Sequence, residues 1–257
     1  MSYKDLFSCE NKVAVVTGGA GLLGREIVKA LNDFGAKVYI GDIDEKKAGE
    51  ISEDTGIGYV HLDITSEDSI GKAMGTVIRD NGRLDIIVNS AYPRTKDWGK
   101  KVEQVSLGSW KDNVDSHMGG YFFCCRMAAE QMRQQGGGTI INLASIYGVV
   151  APDFSIYEGT EMTMPVAYSA IKGGIIALTK YIATYYAKYN VRANVVSPGG
   201  IYDNQIECFV ERYSKKTPLG RMGIPSEVVG AVIYLASDAS SYVTGHNLVV
   251  DGGWTAW

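Results

Sequence analysis

The chain has 257 residues, 46% of them hydrophobic and 21% charged, proportions of a folded globular protein that exclude disorder, collagen-like repeats and coiled coil. Its 29 acidic and 25 basic side chains leave a net charge of -4, so no basic footprint for nucleic acid or an anionic membrane is present. Single α/β domains of ~250 residues are common, and with no compositional break, repeat or low-complexity stretch the whole of 1–257 reads as one domain.

Residues 12–16 form a short β-branched run ending in Thr17-Gly18-Gly19, after which Leu22, Leu23, Ile27, Val28 and Leu31 recur at helical spacing up to Gly35. That pattern predicts strand, glycine turn and helix. The alternation continues with strands over 37–41, 59–62 and 84–89 and helices over 44–52 and 64–79. A helix over 116–134, a strand over 139–143, a long helix over 168–189 and strands over 191–196 and 247–250 complete it. Strands separated by helices of this length imply βαβ units, hence a Rossmann-type doubly wound parallel sheet with flanking helices. The long helix carries an apolar row and a small-residue face (Ala167, Ala170, Gly174, Ala177); one of these packs on the sheet, and the other meets either a neighbouring helix or a second subunit.

The four cysteines show no CxxC pair and no metal-ligand spacing, so neither a disulfide framework nor a metal site is expected, and a reducing cytoplasm fits. No export segment or ~18-residue apolar stretch is found.

Thr17 to Gly24 lies between a buried strand and a helix, where Gly18, Gly21 and Gly24 allow the tight turn and the approach of backbone to a pyrophosphate on the helix N-terminus. Asp42, 24 positions beyond Gly18, can accept hydrogen bonds from both adenosine ribose hydroxyls and would repel a 2'-phosphate. Ile43 follows it, with no arginine or lysine in the turn before Gly24, so NAD is the expected cofactor rather than NADP. The bland reading of Asp42 is a helix N-cap, a role for which Asp44 is better placed.

Taken with Asp63, Asn89-Ser90-Ala91, Ser145, Tyr168-x-x-x-Lys172 and Pro198-Gly199, each just after a strand or opening a helix, this pattern resembles the short-chain dehydrogenase/reductase family over essentially the whole chain. The inserted stretch before Tyr168 is similar to a bacterial subgroup associated with flagellin glycosylation and sialic-acid-like sugar synthesis. The resemblance implies cofactor contacts from Leu23, Asp63, Ile64, Asn89 and Ala91, and also from Tyr168, Lys172, Pro198, Gly199 and Ile201. It further implies that Tyr168 exchanges a proton with a substrate oxygen, Lys172 lowers the Tyr168 pKa and binds the nicotinamide ribose, and Ser145 orients that oxygen.

Tyr168 and Lys172, four apart, project from one helix face. Moving a phenol from its free pKa of ~10 to near 7 needs about 4 kcal/mol, which one ammonium ~4 Å away supplies at an effective dielectric of ~20. Outside this context such a pair is ordinary helix surface.

The chain departs from the family pattern in three places. The glycine expected two before Gly24 is shifted to Gly21, with Leu22 in its place. Ser145 and Tyr168 stand 23 apart, with an insertion around 153–159 that should overhang the substrate. At the helix position where the family places a proton-relay asparagine, register on Gly120-Tyr121-Phe122 puts His117, which is either the relay group or a buried, hydrogen-bonded histidine; Asn113, one turn earlier, is the other candidate.

Long loops over 92–104 and 148–165 follow strand ends, where open α/β sheets bind ligands. Arg94, Lys96 and Asp97, then Asp153, Tyr157 and Glu158, then Tyr202, Asp203, Asn204 and Gln205 suggest a polar substrate, a sugar or polyol, free, phosphorylated or nucleotide-linked, unless they are solvated loop residues. The expected activity is hydride transfer between NAD and a secondary hydroxyl or ketone of such a substrate. Two alternatives stand beside it: an NADP-dependent ketone or ketoacyl reductase, and a non-catalytic dinucleotide-binding regulator, which would need the glycine turn but not Ser145, Tyr168 and Lys172. A homodimer or homotetramer is expected.

Overall fold

The computed structural model describes residues 2–257. Strand β1 (Val13–Thr17) is buried throughout, as a strand covered on both faces must be. Val13 and Val15 point to one helix layer, Ala14 and Val16 to the other. The chain then runs through α1 (Gly24–Asp33), β2 (Lys37–Asp42), α2 (Glu45–Thr55), β3 (Gly58–His61), α3 (Glu67–Asn81) and β4 (Ile86–Asn89). Its second half adds α4 (Leu107–Asn113), α5 (Gly120–Gln135), β5 (Gly138–Leu143), α6 (Val166–Tyr186), β6 (Val191–Pro198), α7 (Glu207–Lys216), α8 (Ser226–Ala236) and β7 (Asn247–Val250). All seven strands are parallel, in the order β3-β2-β1-β4-β5-β6-β7. The order reverses between β1 and β4, the switch point beside which such sheets open a cleft.

Helices α1, α2 and α8 cover one face of the sheet and α3, α5 and α6 the other. Caps set their ends: Asp44 accepts from Lys47 N–H at the start of α2, Ser66 from Ser69 N–H at the start of α3, and Gly56 and Gly82 close both in left-handed conformations. Across β4 and β5 a polar row crosses the apolar sheet. Asn89 pairs with Asn142 in register and donates to its Oδ1 at 2.8 Å, and Asn142 donates to Thr179 Oγ1 on α6 at 2.8 Å.

Helices α7 and α8 and the short α4 go beyond the sequence expectation. Between α4 and α5 the chain makes a wide π turn, Val114–Gly119, so the expected helix over 116–134 begins inside a distortion, the kind that often marks a functional site. The insertion holds a short 3-10 turn, Phe154–Tyr157, tied to α7 by a Lys216–Asp153 ion pair and by Arg212 donating to the Glu158 carbonyl. On α6, Tyr181 and Tyr185 remain exposed and stack at 5.9 Å.

Candidate active site

A cleft of roughly 1080 Å³ opens at the C-terminal ends of the strands. At one end the glycine turn meets β4 backbone to backbone. Gly18 takes φ +65°, and a Cβ there would lie 2.7 Å from Ala91 Cα; a Cβ on Gly24 would overlap the Gly18 carbonyl. Gly21 and Leu22 both border the cleft, so the shifted glycine still gives close approach while leucine supplies part of the wall. Asp42, ending β2, accepts from Ala20 N–H at 2.9 Å and Asp44 N–H at 3.0 Å. Two backbone donors therefore orient its carboxylate at the cleft, and Asp44 is the residue that caps α2. Asp63, held by Thr65, borders the cleft with Leu23, Ile64, Ala91, Pro198, Gly199 and Ile201. Asn89 does not: it is fully buried in the sheet beneath, and its Oδ1 has no partner. Side-chain-free backbone, a helix N-terminus and an oriented carboxylate are a donor set that fits a nicotinamide dinucleotide.

Ser145, just past β5, and Tyr168 and Lys172, on the first turns of α6, converge on the middle of the cleft. Ser145 Oγ accepts from Tyr147 N–H at 3.2 Å. Lys172 is buried with no carboxylate partner; its Nζ donates to the Leu143 carbonyl at 2.8 Å and lies 3.3 Å from His117 Nε2. Burial pulls the Lys172 pKa down to about 7, since desolvation disfavours an ammonium. Burial pushes Tyr168 up, and the neighbouring Ser145 hydroxyl draws it partly back. Lys172 Nζ stands 5.6 Å from the Tyr168 ring centroid.

His117 sits fully buried on the π turn, flanked by the rings of Tyr92 at 5.3 Å and Tyr121 at 5.2 Å. Burial, and secondarily Lys172, hold its pKa well below 6.5, so the imidazole is neutral. Its Nδ1 has no partner. The Asn113 amide is spent elsewhere, donating to Thr95 Oγ1 and the Ser109 carbonyl and accepting from Thr95 N–H.

The far end is aromatic. Tyr92 and Trp98, from the loop after β4, meet Tyr168 edge to face at 5.8 and 6.3 Å, and Tyr147, Phe209, Tyr213 and Met222 extend the lining. Sequence reasoning singled out this loop for its polar residues, yet Lys96 and Asp97 lie off the cleft, Asp97 bonding Thr95 and Ser109. Asp153, Glu158, Tyr202 and Asn204 also lie outside it, whereas Arg94, Tyr157, Asp203 and Gln205 line it. Phe209 and Tyr213 were missed with α7; their spacing of four, continued by Thr217, was the available signal.

A family model described as enoyl-(acyl carrier protein) reductase matches residues 19–255. The chain is 34% identical over 252 residues to post-translational flagellin modification protein A of Campylobacter coli, covering 95% of this chain and 98% of the relative. A short chain dehydrogenase from Leptospira borgpetersenii, solved with bound NAD+, matches with TM-score 0.88 and 33% identity over 99% of this chain and 96% of that one. Gluconate 5-dehydrogenase from Burkholderia cenocepacia, solved in complex with NADP and tartrate, matches with TM-score 0.88 and 28% identity over 98% of each chain. Relatives include dehydrogenases and reductases of sugars and alcohols.

Proposed function

The chain belongs to the short-chain dehydrogenase/reductase family and is an oxidoreductase acting on CH–OH groups, and from that premise we propose that it moves a hydride between NAD and a secondary hydroxyl or ketone of a sugar or sugar derivative. The observation that carries this reading is the convergence of Ser145, Tyr168 and Lys172 on the same cleft that Asp42 borders. The backbone-oriented Asp42 carboxylate accepts ribose hydroxyls and repels a 2'-phosphate, and Ile43 offers that phosphate no cation; this supports NAD.

The cofactor supplies the hydride acceptor or donor. The dinucleotide is held by Gly18, Gly21, Leu23, Gly24 and Asp42, by Asp63, Ile64 and Ala91, and by Pro198, Gly199 and Ile201, with Asn89 shaping the floor from below. Ser145 Oγ hydrogen-bonds the reacting oxygen, and Tyr168 exchanges the proton with it. Lys172 binds the nicotinamide ribose while its second contact, His117 Nε2, extends a proton line to the π turn. The Lys172–His117 separation and the fully committed Asn113 amide favour His117 as the relay group. The whole of 1–257 acts as one NAD-binding oxidoreductase domain, since strands from residue 13 to residue 250 share one sheet. No helix among the described residues is long and apolar enough to cross a membrane. We place the protein in the cytoplasm as a homodimer or homotetramer, with the stacked Tyr181–Tyr185 pair on an interface. A second reading, NADP-dependent ketone reduction, draws support from the NADP-bound relative and is opposed by Asp42.

The test is nicotinamide absorbance with NAD or NADP and a panel of free, acidic, phosphorylated and nucleotide-linked sugars, with Tyr168→Phe alongside. Turnover with NAD that falls about 10²–10⁴-fold in the variant is expected. NADH binding without turnover of any panel member, or an unchanged rate in Tyr168→Phe, overturns the reading.

A further inference from the structure

The basic side chains of loop 92–104 and of α7 are Arg94, Lys96, Lys100, Lys101, Arg212, Lys215 and Lys216. Arg212 and Lys216 hold the insertion to α7, Lys100 pairs with Asp97, and Lys96, Lys100, Lys101 and Lys215 do not border the cleft. Of these seven Arg94 alone lines it, and among the described residues no carboxylate lies within ion-pair distance of its guanidinium. Its Cζ rests 5.4 Å from the Tyr92 ring centroid. That ring in turn meets Tyr168 at 5.8 Å, so the guanidinium lies at most about 11 Å from the proton-exchanging ring.

The other charges of the substrate end are Glu161 and Asp203, on the insertion and on the loop after β6, and neither is ion-paired. Carboxylates accept hydrogen bonds from hydroxyls and repel anions, whereas a guanidinium fork receives carboxylate or phosphate oxygens in pairs. Tyr92 and Trp98 offer apolar faces between them. One unpaired fork, two unpaired carboxylates and two aromatic walls complement a molecule with several hydroxyls and one anionic end.

We propose that Arg94 is a specificity-determining residue that receives the anionic group, carboxylate or phosphate, of a polyhydroxylated substrate. The inference rests on the oxidoreductase reading above and names the substrate class of that site. The Tyr92 ring lies under the guanidinium as a cation–π neighbour, an arrangement that leaves the planar fork free to receive paired oxygens, which lysine's point charge does not match.

The experiment compares kcat and KM for gluconate against sorbitol, and for glucose 6-phosphate against glucose, in the wild type, Arg94→Gln and Arg94→Lys. Calorimetric titration of gluconate and glucose 6-phosphate into the NADH-loaded protein runs in parallel. Removing a charge-assisted contact should cost about 10- to 100-fold in kcat/KM, expressed mainly in KM. The loss should be at least tenfold greater on the anionic member of one pair than on its neutral partner, with Arg94→Lys intermediate. An effect confined to gluconate identifies a carboxylate, and one confined to glucose 6-phosphate a phosphate. Equal losses within both pairs, or titrations that Arg94→Gln leaves unchanged, overturn the proposal. Absence of turnover in the wild type on every compound counts against the oxidoreductase reading alone, because the titrations still decide whether Arg94 holds the anion.

Discussion

At the dinucleotide end of the cleft the contacts come from backbone: glycines whose Cβ would collide, the start of α1, and a carboxylate steered by two N–H groups. At the substrate end they come from side chains on long loops and on α7, chiefly Tyr92, Trp98, Tyr147, Phe209 and Tyr213. Backbone geometry admits one ligand shape and tolerates little substitution, while a side-chain wall can be rebuilt residue by residue. The first end therefore suits a shared cofactor and the second a substrate particular to this enzyme.

The sharpest break in this contrast is Gly24→Val. Its Cβ overlaps the Gly18 carbonyl, and an overpacking cost of roughly 3 kcal/mol corresponds to ~100-fold. NADH affinity should fall by about that factor while far-UV circular dichroism keeps its helical signal; wild-type affinity by fluorescence titration would show that the turn has slack. Trp98→Ala probes the other end. A substrate kcat/KM lowered about tenfold with NADH affinity within twofold would keep the two ends separate, and a parallel loss of cofactor affinity would merge them.

His117 and Lys172 lie between the two. Because the His117 pKa is held below 6.5 in the fold, the unfolded chain binds the extra proton first as pH falls, and stability declines below about pH 6.5. His117→Asn should reduce that acid loss in urea titrations at pH 5, and should change both the rate and the pH profile of turnover; an unchanged profile and rate would remove the imidazole from the relay. The smallest effect is on heat stability. Lys172, lowered from 10.5 to about 7, binds fewer protons folded than unfolded between those values, so stability rises with pH across that window. Lys172→Met should flatten the rise and raise Tm at pH 7 by about 2–4 °C for each kcal/mol recovered, at the expense of turnover. A lower Tm for the variant would mean that the Leu143 and His117 contacts outweigh the desolvation.

Much of this was legible in the sequence because the features are local. Strand, glycine turn and helix follow from 12–35, whereas Asp42, Tyr168 and Lys172 are singled out by their order among the other motifs of the family resemblance, and the fold brings all three to one cleft. What escaped depends on tertiary placement. The π turn beneath His117 has no composition of its own, and the Lys172–His117 contact joins residues 55 apart. Loop 92–104 looked polar by count, yet folding turns Lys96 and Asp97 away and brings Tyr92 and Trp98 onto Tyr168. Helix α7 was hidden because its apolar face is short and most of its remaining residues are charged.

The hydrogen-bonded row of Asn89, Asn142 and Thr179 bears on how the chain finds its alignment while folding. Apart from Thr139 near the start of β5 the rest of both strands is apolar or glycine, and sliding one past the other by two residues would present nearly the same surface to both helix layers. Hydrophobicity alone scarcely separates such alignments. Any slip, however, leaves buried amides unpaired at a cost of about 1–3 kcal/mol for each, so two amides in the middle of the sheet, with a threonine on α6 above them, act as a proofreading step for the strands around them.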